Sequence, residues 1–180
     1  EEFAERVVGQ LSLREKAHQM TGSSSLLKLA IDAYLYKHYN RTAYAAGGLK
    51  RFSIPPVLFS DGPRGVVMNH ATCFPVSMAR GASWDPGLEE RIGEAIGREI
   101  RALGGNFYGG VCINLLRHPA WGRAQETYGE DPFHLATMGV ALLRGVQRHN
   151  VMACVKHFAC NSIEKARFKV DVQADERTLR

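Results

Sequence analysis

The segment Trp121-Gly122-Arg123-Ala124-Gln125-Glu126-Thr127-Tyr128-Gly129-Glu130-Asp131-Pro132 concentrates one cation, three carboxylates, two aromatic rings and two glycines where neither helical nor strand periodicity holds. A packed core does not need that mixture, whereas polar ligands do. Two other places share its character: Asp61, at the end of the apolar run 55–60, and Lys156-His157, at the end of the run 151–155. A carboxylate can accept from two adjacent hydroxyls, while Arg123, Lys156 and His157 donate to others, which suits a polyhydroxylated ligand. In a closed pocket such bonds discriminate strongly, because a ligand lacking a hydroxyl leaves a charge unpaired.

Each residue also has a plainer reading. Asp61-Gly62-Pro63 can be a turn in which the Asp side chain bonds its own backbone. Lys156-His157 can be a buried imidazole beside a Lys whose stem covers apolar surface. Arg123 can form a structural ion pair with Glu126 or Glu130, Arg167 can be simply exposed, and His118 and His134 read most simply as surface or capping residues. What favours a ligand site is the joint occurrence of polar groups at three strand ends, where α/β folds gather their active sites.

The elements that must hold these groups are legible. Ser12-Leu13-Arg14-Glu15 forms a capping box opening a helix, and residues 26–46 continue the helical pattern up to Gly47-Gly48. Residues 55–60 predict a strand, and Ala71-Thr72-Cys73-Phe74-Pro75 a weaker one limited by Pro75. Asp85 and Pro86 open a helix carrying Leu88, Ile92, Ile96, Ile100 and Leu103, closed by Gly104-Gly105. A buried strand over 111–116, a helix from Pro132 to about His149, a strand over 151–155 and a helix beginning at Asp175-Glu176-Arg177 follow. Apolar strands alternating with amphipathic helices predict a parallel sheet covered on both faces. With about four strands and an unfinished last helix, this α/β chain reads as the first half of a TIM-like (β/α) barrel. Its leading helices occupy 1–54 and its βα units 55–180. A half-barrel leaves strand edges unpaired, so a fragment of a longer polypeptide is expected.

Composition excludes more than it selects. The net charge of +5 comes from 23 Lys+Arg against 18 Asp+Glu. It is scattered over positions such as Arg6, Lys28, Lys50 and Arg98, so no nucleic-acid partner is expected. No apolar run approaches the roughly 20 residues that span a bilayer, so no membrane role is expected either. Cys73, Cys112, Cys154 and Cys160 show no CxxC and no metal-ligand spacing, which points to a reducing, cytoplasmic setting and to no metal. The chain starts at Glu1, so its beginning is read as trimmed.

Several ordered motifs resemble the N-terminal barrel domain of glycoside hydrolase family 3, the β-glucosidase and β-xylosidase family. They are Ser60-Asp61-Gly62-Pro63-Arg64-Gly65, Cys73-Phe74-Pro75, Trp121-Gly122-Arg123 running to Glu130-Asp131-Pro132, Lys156-His157-Phe158, and Asp175-Glu176-Arg177 with Leu179-Arg180. The resemblance implies that Asp61, Arg123, Lys156, His157 and Arg167 hold the non-reducing-end sugar of a β-linked oligosaccharide or glycoside. It implies retaining hydrolysis, in which one carboxyl attacks the anomeric carbon and another protonates the leaving oxygen and then activates water. In the family the nucleophilic Asp follows a later barrel strand, and the acid/base Glu usually comes from a following α/β domain. Neither is expected within this chain, which alone is expected to be inactive; Asp61, Glu126, Glu130, Asp131 and Glu164 match no catalytic position. No cofactor is implied, while the rest of the barrel and a C-terminal α/β domain are implied partners. Val67 stands where relatives often carry arginine. Ala159-Cys160-Asn161-Ser162 replaces the Pro-Gly-His-Gly of the family's bacterial N-acetylglucosaminidases, which favours the glucosidase-type branch.

Two other classes compete. A non-catalytic carbohydrate- or partner-binding protein derived from the same barrel would keep the sugar contacts and lack the nucleophile. An unrelated barrel enzyme with a phosphate or cofactor site would need a Gly-rich phosphate loop of the required spacing, and none is present.

Overall fold

The Ser12 hydroxyl accepts the Glu15 N–H at 3.3 Å while the Glu15 carboxylate takes the Ser12 N–H at 2.9 Å, the expected reciprocal cap. In the computed structural model, which describes residues 1–179, that cap opens α2 (Leu13–Gln19), between α1 (Glu2–Gly9) and α3 (Leu26–Tyr34). The helix expected over 26–46 stops at Tyr34. Lys37 and Asn40 take φ values of 48° and 53°, a left-handed conformation through which a right-handed helix cannot continue. The chain then forms β1 (Tyr44–Ala46), so the leading segment is not helical throughout.

Among the described residues there are four strands, with a different membership from the one expected. β1 pairs antiparallel with β2 (Val57–Ser60), β2 pairs parallel with β3 (Phe107–Cys112), and β3 pairs parallel with β4 (Met152–Lys156), in the order β1-β2-β3-β4. Residues 71–75 are not a strand, because their backbone is engaged elsewhere. The Thr72 N–H donates to the Glu99 carboxylate at 3.1 Å, the Phe74 N–H to the Arg64 carbonyl at 2.8 Å, and Pro75 has nothing to donate. The strand expected over 111–116 begins earlier and ends at Cys112, which frees Asn114 to leave the sheet.

The core lies between this sheet and its helices. After the short α4 (Ser77–Gly81), α5 (Pro86–Ala102) is capped by Asp85, which accepts the Leu88 N–H at 2.9 Å. α6 (Pro132–Gln147) is capped by Asp131, which accepts the His134 N–H at 2.7 Å. Ile92, Ile96 and Ile100 of α5 meet Leu142 and Val146 of α6 over Tyr108, Val111 and Val151 of the sheet layer, all buried. The two helices approach closely at Gly93 and Gly145, where an added Cβ would strike the Leu142 and Glu90 carbonyl oxygens. α7 (Glu176–Leu179) begins at Asp175, which accepts the Thr178 N–H at 2.8 Å; Arg180, the last residue of the final motif, lies outside the described residues. Among the described residues, no helix is long and apolar enough to cross a membrane. The α/β class is the one expected, but the sheet is not parallel throughout, since β1 runs antiparallel to β2. Nor is it covered on both faces: helices α5 and α6 pack on one face and a cavity opens at the other.

Candidate functional site

Asp61 leaves the end of β2 and is held by a residue that precedes β1. Asn40, fully buried, accepts the Asp61 N–H at 2.7 Å through Oδ1 and donates through Nδ2 to the Thr42 and Phe59 carbonyls. Asp61 Oδ1 accepts the Gly62 N–H at 2.9 Å, so the side chain does bond adjacent backbone, though that is not all it does. The same oxygen also takes the Lys156 ammonium at 3.0 Å, across from the end of β4, and Oδ2 receives the Tyr39 hydroxyl at 3.3 Å. Burial, then the neighbouring Asp61 charge, pushes the Tyr39 phenol up to about 12, which keeps it a donor.

The other cations are arranged by their own carboxylates. Arg123 makes two bonds of 2.7 Å to Glu126, one of the two structural pairs anticipated for this loop; among the described residues it makes none to Glu130. Those bonds hold the Arg123 guanidinium above its ordinary value. Glu164 lies 3.8 Å from Arg123 and accepts from Arg167 at 3.0 Å and from the Trp121 indole at 3.4 Å. Burial pulls the Glu164 carboxyl up, but the Arg167 and Trp121 bonds outweigh it and leave it below the usual carboxylate range. His157 follows β4 and bonds Asn114 through both its N–H and Nδ1. Burial, reinforced by the Arg123 and Lys156 charges, lowers the imidazole to about 4, so it is neutral through the physiological range.

Asp61, Arg123, Lys156, His157 and Arg167 all line one cavity of about 580 Å³, together with apolar surface from residues such as Phe168. Its size falls within the few hundred to about 1,000 Å³ usual for small-molecule sites. Lys156 has one partner among the described residues and three N–H groups, so two hydrogens stay available. Asp61 Oδ2 holds one bond and can accept another. An acceptor and a donor 3.0 Å apart can engage neighbouring hydroxyls of one ligand. Among the described residues no group of three His, Cys, Asp or Glu is placed to hold a metal ion.

The remaining polar residues take structural places. Asp131 caps α6, His118 accepts the Ala120 N–H, and the His134 ring lies against Trp84 at 4.1 Å. Arg64 bonds the Phe74 carbonyl at 3.5 Å. The residues that sequence reasoning missed are Tyr39, Asn40 and Asn114. The first two lay inside a stretch read as helix, and their only local signal is Asn40 as a turn former. Asn114 is the one amide in an apolar run, and that isolation is the signal that could have marked it.

Comparison with known proteins agrees with the motifs. Residues 30–180 match the profile of the glycosyl hydrolase family 3 N-terminal domain. A thermostable β-glucosidase B of Acetivibrio thermocellus is 37% identical over 145 residues, covering 73% of this chain and 19% of that protein. A β-glucosidase from Paenibacillus barengoltzii superposes with a TM-score of 0.84 at 34% identity, over 97% of this chain and 19% of its own. DesR, a β-glucosidase from Streptomyces venezuelae solved in complex with D-glucose, gives 0.83 at 31% identity, over 97% and 21%. The chain thus spans about a fifth of the length of these relatives. Its four-stranded sheet is the opening part of a TIM-like barrel.

Proposed function

The chain belongs to glycoside hydrolase family 3 and carries part of that family's N-terminal domain, and from this premise we propose that its cavity holds the terminal non-reducing sugar of a β-glycoside during retaining hydrolysis. The observation that carries the reading is the convergence of Asp61, Arg123, Lys156, His157 and Arg167 on one cavity from segments up to 106 positions apart (167 − 61). Asp61 and Lys156 take adjacent hydroxyls, and Arg123 and Arg167, held in place by Glu126 and Glu164, line the same cavity. The D-glucose complex of the Streptomyces relative supports glucose as the sugar. Contacts to parts of the sugar remote from the reacting carbon orient the anomeric centre for attack.

The nucleophile and the acid/base belong, in this reading, to further βα units and to a C-terminal domain of a longer polypeptide. Residues 55–180 contribute the first βα units and 1–54 their lead-in. The test compares the 180-residue chain with that polypeptide on an aryl β-glucoside, following the anomer released. Turnover with retention in the longer protein and none in the shorter is expected. Robust hydrolysis by the 180-residue chain would place a nucleophile inside it and end this assignment, and inactivity of both would end the hydrolase reading.

A further inference from the structure

Asn114 sits just beyond β3, 7% exposed, and the loop after β4 uses both ends of its side-chain amide. The orientation of that amide is dictated by two backbone groups. The His157 N–H can only donate and lies 3.0 Å from one end, so that end is the oxygen. The Asn161 carbonyl can only accept and lies 2.9 Å from the other, so that end is the NH2. The same oxygen is 2.7 Å from His157 Nδ1 and 3.3 Å from the Cys112 thiol. An amide oxygen never donates, so Nδ1 must carry the imidazole hydrogen. A neutral imidazole then has none on Nε2, which has no partner among the described residues of a side chain that lines the cavity.

We infer that Asn114 is a positioning residue that locks His157 in its Nδ1–H tautomer and so makes Nε2 an uncharged hydrogen-bond acceptor for a ligand hydroxyl. The expectation that this imidazole donates to the ligand is thereby corrected. The inference rests on the sugar-binding reading above and deepens it. A hydroxyl at this point donates to Nε2 while a neighbouring cation donates to its oxygen, so a fluorine or a methoxy group in its place loses the first bond. The charged groups facing the imidazole are Arg123 and Lys156, which oppose its protonation, and Glu126 and Glu164, which favour it. Burial also raises the Cys112 thiol, so it stays protonated and donates to the same oxygen.

Two measurements on the full-length polypeptide test this. In protein labelled with [15N]histidine, the His157 resonances are assigned by their loss in His157→Gln. At pH 7 a protonated Nδ1 and an unprotonated Nε2 are expected; the reverse pattern, or an imidazolium, overturns the inference. No sugar is involved, so this result stands even if the protein proves not to hydrolyse β-glucosides, which would remove only the proposed function. The second measurement is the KM for an aryl β-glucoside against pH. Asn114→Asp keeps an acceptor at Nδ1 and adds a charge that stabilises the imidazolium. The pH below which KM rises should therefore move up by about one unit or more. Asn114→Leu removes the acceptor and should raise KM roughly tenfold with a smaller change in kcat. An unmoved pH profile in Asn114→Asp contradicts the lock, and that variant decides the matter should Asn114→Leu fail to fold.

Discussion

Asp61–Lys156 and Arg80–Glu89 are both ion pairs of about one hydrogen-bond length, at 3.0 and 3.1 Å. Their surroundings differ. The Asp61 and Lys156 side chains are 25% and 14% exposed and line a cavity, whereas those of Arg80 and Glu89 are 2% and 0% exposed. Arg80 also donates to the Pro63 carbonyl and to Ser77, and the Tyr128 hydroxyl donates to Glu89 at 2.6 Å. The buried pair therefore ties the loop that carries Asp61 and the loop that carries Arg123 to α4 and α5. It does so imperfectly: Arg80 Nε lies 3.1 Å from Glu89 Oε2 without hydrogen-bond alignment, and Arg80 Nη1 has no hydrogen-bond partner among the described residues. A buried charge alone is thus no sign of ligand chemistry; bonding capacity left over and facing a cavity is.

Replacing one buried partner should produce the largest stability effect in the chain. Arg80→Leu strands Glu89 without its cation and should cost about 3–5 kcal/mol in urea unfolding. Arg80→Leu/Glu89→Leu should recover most of that loss, because apolar side chains of similar volume often replace a buried pair at little cost. A double variant as unstable as the single one would show that the pair itself is not what holds these loops. At the other extreme, Arg148 is 59% exposed and bridges Glu90 and Glu94 across α5 and the end of α6. Arg148→Ala should cost no more than about 1 kcal/mol and less as salt is added. A loss matching that of Arg80→Leu would erase the distinction between buried and exposed pairs drawn above.

Much of this was legible in the chain. α5 and α6 announce themselves through Asp85-Pro86 and Asp131-Pro132 and through apolar residues at helical spacing, because such signals are local. Four of the cavity residues, Asp61, Arg123, Lys156 and His157, were legible too, since polar side chains following buried strands stand out against their surroundings. Arg167, 11 positions beyond β4 (167 − 156), was marked only by the family resemblance. β1 was not: three residues, Tyr44-Ala45-Ala46, carry no periodicity of their own and become a strand only by pairing with β2. Cys73-Phe74-Pro75 failed in the opposite direction, apolar enough for a strand but with its backbone taken by Arg64 and its neighbour Thr72 held by Glu99. Arg80–Glu89 and Asn114–His157 join positions 9 and 43 residues apart (89 − 80; 157 − 114), and nothing in either local pattern names the partner.

The most direct measurement of the central claim is a calorimetric titration of the full-length polypeptide and its Asp61→Ala variant with D-glucose. Losing Asp61 leaves Lys156 and Tyr39 without the acceptor that organises them. Saturable binding by the unaltered protein, weakened by about 100-fold or more in a variant that still unfolds in a cooperative transition, is the predicted result. Equal affinity in the two proteins would contradict it and take the sugar out of this cavity.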